Sequence, residues 1–262
     1  MKRSKNIELK ISLFAVGLFF LLPVAYIFIA SLFGSPQMNH WNDLDLSHFG
    51  KAFSDPNLTD SLINSALTAI TSSVIGMFLS ISYLITIKTR DENQRKWHLY
   101  ILSLPIFLPD ILWGLSLVFI IKLMNITTGL VPVLVVHIIF NSFLSYLILR
   151  QPIIKYPISQ INSAKIFGYS TYNIISDVVI PNLKTQFIGC FLLCFIYSFD
   201  DFLLTFLLSG STFQTFPLYM YSKIKFGLSQ NIVVVAAIYT AVNIFIFALL
   251  LKSSFKLFPD EK

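Results

Sequence analysis

The chain has 262 residues, of which 55% are hydrophobic and 12% are charged, with a mean hydropathy of +0.74. Because soluble domains are about 25% charged, this composition excludes an ordinary soluble protein and indicates an integral membrane protein. The net charge of +6 does not indicate a nucleic acid partner, since the basic residues are distributed as expected for loops on one side of a membrane.

Six apolar runs are long enough for transmembrane helices, each of which needs about 20 residues. We therefore predict an all-α integral membrane protein with one transmembrane domain over residues 1–262 and a long cytoplasmic connection at about 151–185. The predicted spans are about 11–33, 63–87, 99–123, 130–150, 186–208 and 231–251.

The lysines and arginines predict the orientation of these spans. Fifteen of the 19 lie in the N-terminal segment, in the connections after the second and fourth spans, and in the C-terminal tail. The four on the opposite side are Lys51, Lys122, Lys223 and Lys225. Since basic residues concentrate in cytoplasmic loops, both termini are predicted to be cytoplasmic.

The sequence carries no signal of an enzyme. There is no G-x-x-x-x-G-K-[ST] phosphate loop, because Gly50-Lys51 is followed by Ala52, so the chain lacks that route to ATP hydrolysis. The four histidines lack the spacing of metal ligands, and we predict no metal site. Cys190 and Cys194 stand four apart in one apolar run, which favours core packing over a disulfide.

Polar residues inside the third and fourth runs predict a helix break and a polar contact. Pro105 and Pro109 remove helical hydrogen bonds just before Asp110, and should kink or break the third span. In the fourth span His137 and Asn141 lie one turn apart on one face, where hydrogen bonds between helices are favoured.

The fifth run contains two adjacent acids, Asp200 and Asp201, predicted to lie past the bilayer midplane toward the outside. With Asp110 they make three acids within the runs, each costing about 2.5–3.5 kcal/mol if ionised there. Water, protonation or a passing cation could offset that cost. Neighbours on a helix point about 100° apart, so one acid could face a cavity while the other pairs with a neighbouring helix or caps a broken one.

The alternative is that hydrogen bonds in a helix interface satisfy both acids. We favour a cation path, and the candidate path residues are Asp110, Asp200 and Asp201, with Trp113 and Tyr197 from the same spans.

The connection between the fourth and fifth spans predicts two short amphipathic helices. The first begins after Pro157, and Gly168 interrupts the pattern. The second has Tyr172, Ile175 and Val179 on one face and is predicted to end before Pro181. Helices so close to the membrane are suited to docking another protein, although the pattern alone favours a pair of solvated surface helices.

This connection resembles the EAA loop of bacterial binding-protein-dependent ABC importer permeases. Within NSAKIFGYSTYNIISDVVIPNL, the residues at the positions of the family motif are Asn162, Ser163 and Ala164 for E-A-A, Gly168 for the glycine and Pro181 for the proline, with Tyr169 after the glycine. The resemblance implies a type I importer permease fold in which this loop couples to an ATPase subunit. Asn162 replaces the family glutamate, so the charge pairing that the glutamate implies is not expected.

The region from the fifth span onward is similar to the spermidine/putrescine permease group. The shared features are Asp200-Asp201-Phe202, Ser209-Gly210, Pro217 to Ser222, and Gly227-Leu228-Ser229. This resemblance implies polyamine transport in a bacterial inner membrane. It further implies a sister permease subunit, two ATPase subunits that bind ATP, and an external polyamine-binding protein, with no cofactor on this chain.

Other functions remain open at the level of the sequence. The same machine could carry another cationic or small organic solute, such as thiamine or ferric iron. A secondary carrier would use the intramembrane acids as ion relays, but the EAA-like loop argues against it. A membrane scaffold would make no use of the acids.

Overall fold

Long apolar runs form the long helices of this computed structural model, which describes residues 2–34, 44–88, 90–225, 227 and 229–254. Leu228, Lys256 and Lys262, which entered the sequence predictions, lie outside these residues. The helices are α1 (Lys2–Ala30), α2 (Ser47–Phe53), α3 (Pro56–Ile87), α4 (Glu92–Phe107), α5 (Asp110–Leu123), α6 (Leu130–Lys155), α7 (Ile158–Ile166), α8 (Thr171–Asn173), a π-helix (Ile174–Val179), α9 (Ile180–Asn182), α10 (Lys184–Phe199), α11 (Leu203–Leu208), α12 (Phe216–Lys225) and α13 (Gln230–Ser254).

The predicted all-α class is confirmed for the described residues, in which an isolated backbone bridge joins Phe33 to Leu44 and no strand forms. Within the described part of the chain, three helical segments are long and apolar enough to cross a bilayer, namely α3, α6 and Gln230–Leu251 of α13. Two bent pairs of helices raise the number to five if each pair is one span. Six spans and cytoplasmic termini therefore stay predictions.

The predicted break in the third span is confirmed. Helix α4 ends at Phe107, Leu108 and Pro109 have extended ψ angles of 141° and 133°, and α5 begins at Asp110. The axes of Asn93–Pro105 and Asp110–Leu123 differ by 83°. Proline biases the preceding residue away from the helical conformation, which explains a break at this point.

The fifth apolar run is not the continuous helix that a span over 186–208 implied. Helix α10 ends at Phe199, and α11 begins at Leu203. The intervening residues Asp200 to Phe202 contain neither proline nor glycine. The break coincides with hydrogen bonds from the carboxylate of Asp201 to the backbone that follows.

The connection after α6 forms two helical segments joined at Gly168, as predicted. Gly168 has a φ of +81°, a conformation that glycine adopts without a steric penalty. The predicted end before Pro181 is wrong, because the helical segment continues to Asn182. Proline is tolerated in the first turn of a helix, and Pro181 stands in that position of α9.

The face of the second segment also differs from the prediction. Tyr172 is 65% exposed, whereas Ile174, Ile175 and Val179 are buried. The π-helix over Ile174–Val179 has a wider hydrogen-bonding pattern than the α-helix that the prediction assumed. The change in hydrogen bonding alters which side chains share a face, so that Ile174 is buried in place of Tyr172.

The chain divides into two compact units, Met1–Thr59 with Met220–Phe245 and Asp60–Tyr219 with Ile246–Lys262. Within the first, Gln230 Nε2 donates to the carbonyl oxygen of Ala30 at 2.7 Å, and His48 Nδ1 lies 2.9 Å from Asn231 Oδ1. Every candidate path and coupling residue belongs to the second unit.

Small residues let α3 and α6 approach closely in the second unit. A Cβ atom added to Gly76 would lie 2.8 Å from the backbone nitrogen of Ser142, so only glycine fits there without displacing a helix. Ser72, Ser73 and Ser80 are buried along the same helix. Such small residues are typical of helix interfaces in membranes, where close backbone packing drives association.

Candidate functional site: an acidic cavity

Three predicted carboxylates line one cavity. Its volume is about 370 Å³, and its lining consists of Asp110, Ile196, Tyr197, Asp200, Asp201, Phe202 and Leu203. A neighbouring cavity of about 220 Å³ shares Asp110 and Tyr197 and adds Phe140 and Leu144. Neither lining includes a lysine or arginine among the described residues. The two helix breaks produce this juxtaposition, since Asp110 begins α5 and Asp201 precedes α11.

Aromatic rings form the apolar part of the site. The rings of Phe140 and Tyr197 are stacked with centroids 6.0 Å apart, and Trp113 meets Phe140 edge-on at 5.9 Å. Trp113 Nε1 donates to the carbonyl oxygen of Pro105 at 3.1 Å, which ties α5 to α4 across the proline break. Tyr197 therefore lines both cavities with Asp110, whereas Trp113 contacts Phe140, which lines the smaller cavity.

Asp201 serves as an N-terminal cap of α11. Its carboxylate accepts hydrogen bonds from the backbone N–H of Leu204 at 3.3 Å and of Thr205 at 2.9 Å. It also accepts from the Thr205 hydroxyl at 2.9 Å. The first N–H groups of any helix lack partners within the helix, and the Asp201 carboxylate, one residue before the N-cap residue Phe202, accepts hydrogen bonds from two of them. The side chain of Asp201 is only 7% exposed.

His137 extends this cap into the neighbouring helix α6. Its Nε2 lies 3.4 Å from the Asp201 carboxylate and 3.3 Å from the Thr205 hydroxyl, and its Nδ1 lies 2.5 Å from the Ser198 hydroxyl. The ring therefore touches polar atoms on both sides of the break between α10 and α11. The predicted hydrogen bonding of His137 between helices is confirmed.

Asn141 continues the polar network to α3. The Ser72 hydroxyl lies 3.0 Å from that of Ser198. When the Asn141 amide is oriented to satisfy its neighbours, its oxygen accepts from Ser72 at 2.9 Å and its nitrogen donates to the carbonyl of Cys194 at 3.2 Å. A continuous buried network thus joins α3, α6, α10 and α11, and Asp201 belongs to it.

Asp110 and Asp200 are exposed, unlike Asp201. Asp200 directly follows the last residue of α10, and Asp110 is the first residue of α5. Of the three acids in the lining, these two present accessible carboxylates to the cavity.

Ser72, Ser198 and Thr205 were not predicted as site residues, although each hydrogen bonds within the network. A signal for Ser72 was present in the spacing of the small residues Ala69, Ser72, Gly76 and Ser80, which recur at intervals of three to four along one helix face. Ser198 and Thr205 flank the Asp pair and carry no comparable pattern.

The predicted coupling residues lie together on the connection after α6. Asn162, Ser163 and Gly168 are exposed, and Ala164 is buried against the rest of the unit. Tyr169 and Pro181 are exposed as well. At the end of α7, Ile166 is 84% and Phe167 is 81% exposed. This surface presents large apolar side chains around a left-handed glycine turn.

Comparison with known families gives one match over most of the chain. The sequence pattern of the family described as binding-protein-dependent transport system inner membrane component matches residues 94–254. This range includes both helix breaks, all three acids and the connection after α6.

Curated relatives are similar at low identity over most of their length. The spermidine/putrescine transport system permease protein PotC of Escherichia coli strain K12 is 19% identical over 224 residues, covering 86% of this chain and 85% of the relative. PotC of Haemophilus influenzae is 21% identical over 202 residues, covering 76% and 77%. The putrescine transport system permease protein PotI of Escherichia coli strain K12 is 20% identical over 234 residues, covering 85% and 82%.

A solved structure shares the fold. It is the crystal structure of a bacterial ABC transporter involved in the import of the acidic polysaccharide alginate, with a TM-score of 0.73 and 16% identity, covering 95% of this chain and 96% of the other. At this identity the likeness establishes an ABC importer permease fold.

Proposed function

Because the chain belongs to the family of binding-protein-dependent transport system inner membrane components, we propose that it forms the translocation path for polyamines in an ATP-driven importer. The observation that carries this proposal is the cavity lined by Asp110, Asp200 and Asp201, whose lining includes no lysine or arginine among the residues that the structure describes. Spermidine and putrescine are flexible polycations, and accessible carboxylates favour their passage. The relatives named for spermidine and putrescine transport support the same substrate class.

The proposed contact residues are Asp110 and Asp200, with Trp113 and Tyr197 beside them. Exposed carboxylates attract the ammonium groups, and the faces of aromatic rings stabilise cations within about 6 Å of the ring centroid. Two accessible acids hold a polycation weakly enough to release it, which transport requires. An acidic polysaccharide such as alginate would meet repulsion here, so the charge of the lining argues against an anionic substrate.

The proposed assembly pairs this chain with a sister permease subunit, two ATPase subunits and an external polyamine-binding protein. ATP binds to the ATPase subunits in this assembly, and the present chain binds no cofactor. The exposed Ile166, Phe167 and Tyr169 support docking of the connection after α6, hereafter the coupling loop (residues 151–185), onto an ATPase. We place the chain in the bacterial inner membrane with both termini in the cytoplasm.

Uptake of labelled spermidine and putrescine by cells that contain the complete transporter tests this function. We expect Asp110→Asn and Asp200→Asn each to raise the KM for polyamine at least about tenfold, equivalent to losing about 1.4 kcal/mol of binding. The matched control is Asp91→Asn, which removes an exposed acid at the start of α4.

Competition with thiamine, ferric iron and basic amino acids distinguishes a polyamine path from one for another cationic solute. Wild-type uptake of thiamine or iron in place of polyamines would contradict the proposed substrate. Unchanged polyamine KM in both aspartate variants would contradict the proposed role of the cavity.

A further inference from the structure

A buried lysine lies where α3 meets the start of the coupling loop. Lys88 follows α3 directly and is 7% exposed. Its Nζ donates to the backbone carbonyl oxygens of Ile153, Ile154 and Tyr156 at 2.5, 2.7 and 2.5 Å. Among the described residues, the hydrogen bonds of this ammonium group go to backbone carbonyls alone.

The chemistry of the α6 terminus explains why a lysine fits there. The last carbonyl groups of a helix lack donors within the helix, and Pro157 cannot donate from its backbone nitrogen. Proline also keeps Tyr156 extended, with a ψ of 138°. The three N–H groups of an ammonium match the three carbonyls, and the negative end of the helix dipole favours a cation.

Burial lowers the pKa of Lys88, and the charge of nearby Arg95 lowers it further. A buried lysine that faces only carbonyl dipoles carries an energetic cost. A solvated lysine on the surface would avoid that cost. The hydrogen bonds of Lys88 to the three carbonyl oxygens therefore have to offset it.

Further hydrogen bonds connect this point to the elements around it. Arg95 of α4 donates from Nη1 to the Lys88 carbonyl oxygen at 3.2 Å. The Tyr156 hydroxyl donates to Gln160 Oε1 on α7 and lies 3.4 Å from the carbonyl oxygen of Val178 in the π-helix. The ends of α3, α4 and α6 and both halves of the coupling loop therefore meet around Lys88 and Tyr156.

We propose that Lys88 and Tyr156 form a junction that transmits movement of the coupling loop to the transmembrane helices. The junction rests on the proposed function, because it presupposes that an ATPase moves this loop. Both are positioning residues, since they act through the backbone of α6 and through α7. Their loss uncouples ATP hydrolysis from transport.

The test uses the complete transporter in proteoliposomes, assayed for ATP hydrolysis with and without its binding protein and for polyamine uptake. We expect Lys88→Met to lower polyamine uptake per ATP hydrolysed at least fivefold and to abolish stimulation of hydrolysis by the binding protein. Lys88→Arg should restore part of both, because its guanidinium also donates several hydrogen bonds. Lys155→Met, at an exposed position on the same helix end, is the matched control.

Tyr156→Phe provides a second variant if Lys88→Met fails to accumulate in the membrane. It leaves Lys88 and its carbonyl partners intact and removes the hydroxyl contact with α7, so we expect a loss of stimulation in the same direction. Wild-type stimulation and wild-type uptake per ATP in Lys88→Met, or in Tyr156→Phe alone, would overturn the junction.

Stimulation of ATP hydrolysis by the purified binding protein can be measured without knowing which solute the transporter carries. A wild-type transporter that is stimulated by its binding protein but takes up no polyamine would therefore contradict the proposed substrate. The proposed junction would still be tested by comparing ATP hydrolysis with and without the binding protein in each variant.

Discussion

At the scale of residues, Asp200 and Asp201 are adjacent in the chain and have different surroundings. The carboxylate of Asp201 accepts three hydrogen bonds from Leu204 and Thr205 and contacts His137. Asp200 is exposed in the cavity. The doubled acid therefore combines one carboxylate that organises the helix break with one that is accessible from the cavity.

Replacing Asp201 by alanine should lower the free energy of unfolding by about 1–3 kcal/mol, because α11 loses its cap and buried His137 loses a partner. The measurement is the unfolding transition of the purified chain in detergent. Asp200→Ala is the matched control, and we expect its unfolding transition to shift much less because its side chain is exposed. Equal destabilisation by both substitutions would contradict the different surroundings of the two acids.

The sequence anticipated the acids but left their roles open. The free-energy cost of ionised acids in an apolar span can be read from the sequence. The direction in which each acidic side chain points depends instead on where the helix breaks. Pro105 and Pro109 made the break in the third span predictable. The break at Asp200 has no such marker, because it depends on a side-chain carboxylate that replaces the hydrogen bonds of the helix backbone.

At the scale of elements, the coupling loop depends on the turn at Gly168. An added Cβ would meet no atom within 4 Å, so space does not limit the residue at this position. The φ of +81° does, since a left-handed conformation costs about 1–2 kcal/mol for most side chains. The left-handed conformation of Gly168 therefore determines the direction in which the second helical segment leaves α7.

Gly168→Leu is expected to lower uptake per ATP hydrolysed severalfold while the chain still inserts into the membrane. The reason is that the turn must change conformation, which redirects the exposed Ile166 and Phe167. Gly168→Asn serves as the comparison, because asparagine tolerates the left-handed region better than leucine. Normal coupling in Gly168→Leu would count against the proposed docking of this loop.

The sequence predicted two helices and a glycine joint here, but the predicted end of the second helix and the place of Tyr172 on its apolar face were wrong. A period of 3.6 residues was assumed through Tyr172, Ile175 and Val179, and the π-helix departs from that period. Periodicity alone cannot reveal such a change, which places Ile174 beside Ile175 in the buried core. Lys88 was likewise counted only as a basic loop residue, because its carbonyl partners lie more than 60 positions away.

At the scale of the whole molecule, the number and orientation of the spans rest on the sequence. Apolar length identified α3, α6 and α13 as spans, and each of these forms one uninterrupted helix in the described residues. The third and fifth runs are broken or bent in the structure, so helix length alone counts fewer spans than the apolar runs do. Orientation follows from the basic residues, of which Lys256 and Lys262 lie outside the described residues.

Cysteine labelling tests the orientation in intact and in inverted membrane vesicles. Cys190 and Cys194 are fully buried, so the natural chain should react little with a membrane-impermeant maleimide. Asn162→Cys should react only from the cytoplasmic side and Ser211→Cys only from the outside, both at exposed positions. The reverse pattern would overturn the orientation predicted from the charges.

Helix α11 has six residues and is clamped at both ends. Asp201 holds its first N–H groups, while the backbone N–H of Gly129 donates to the carbonyl oxygen of its last residue, Leu208, at 2.9 Å. Its side packs on α5, where Gly114 leaves room for Leu207. A segment held at both ends and along its side is expected to move together with the elements that hold it. We therefore expect any change in the shape of the cavity to move α5, α11 and the start of α6 together, so that Asp110 and Asp201 keep their spacing.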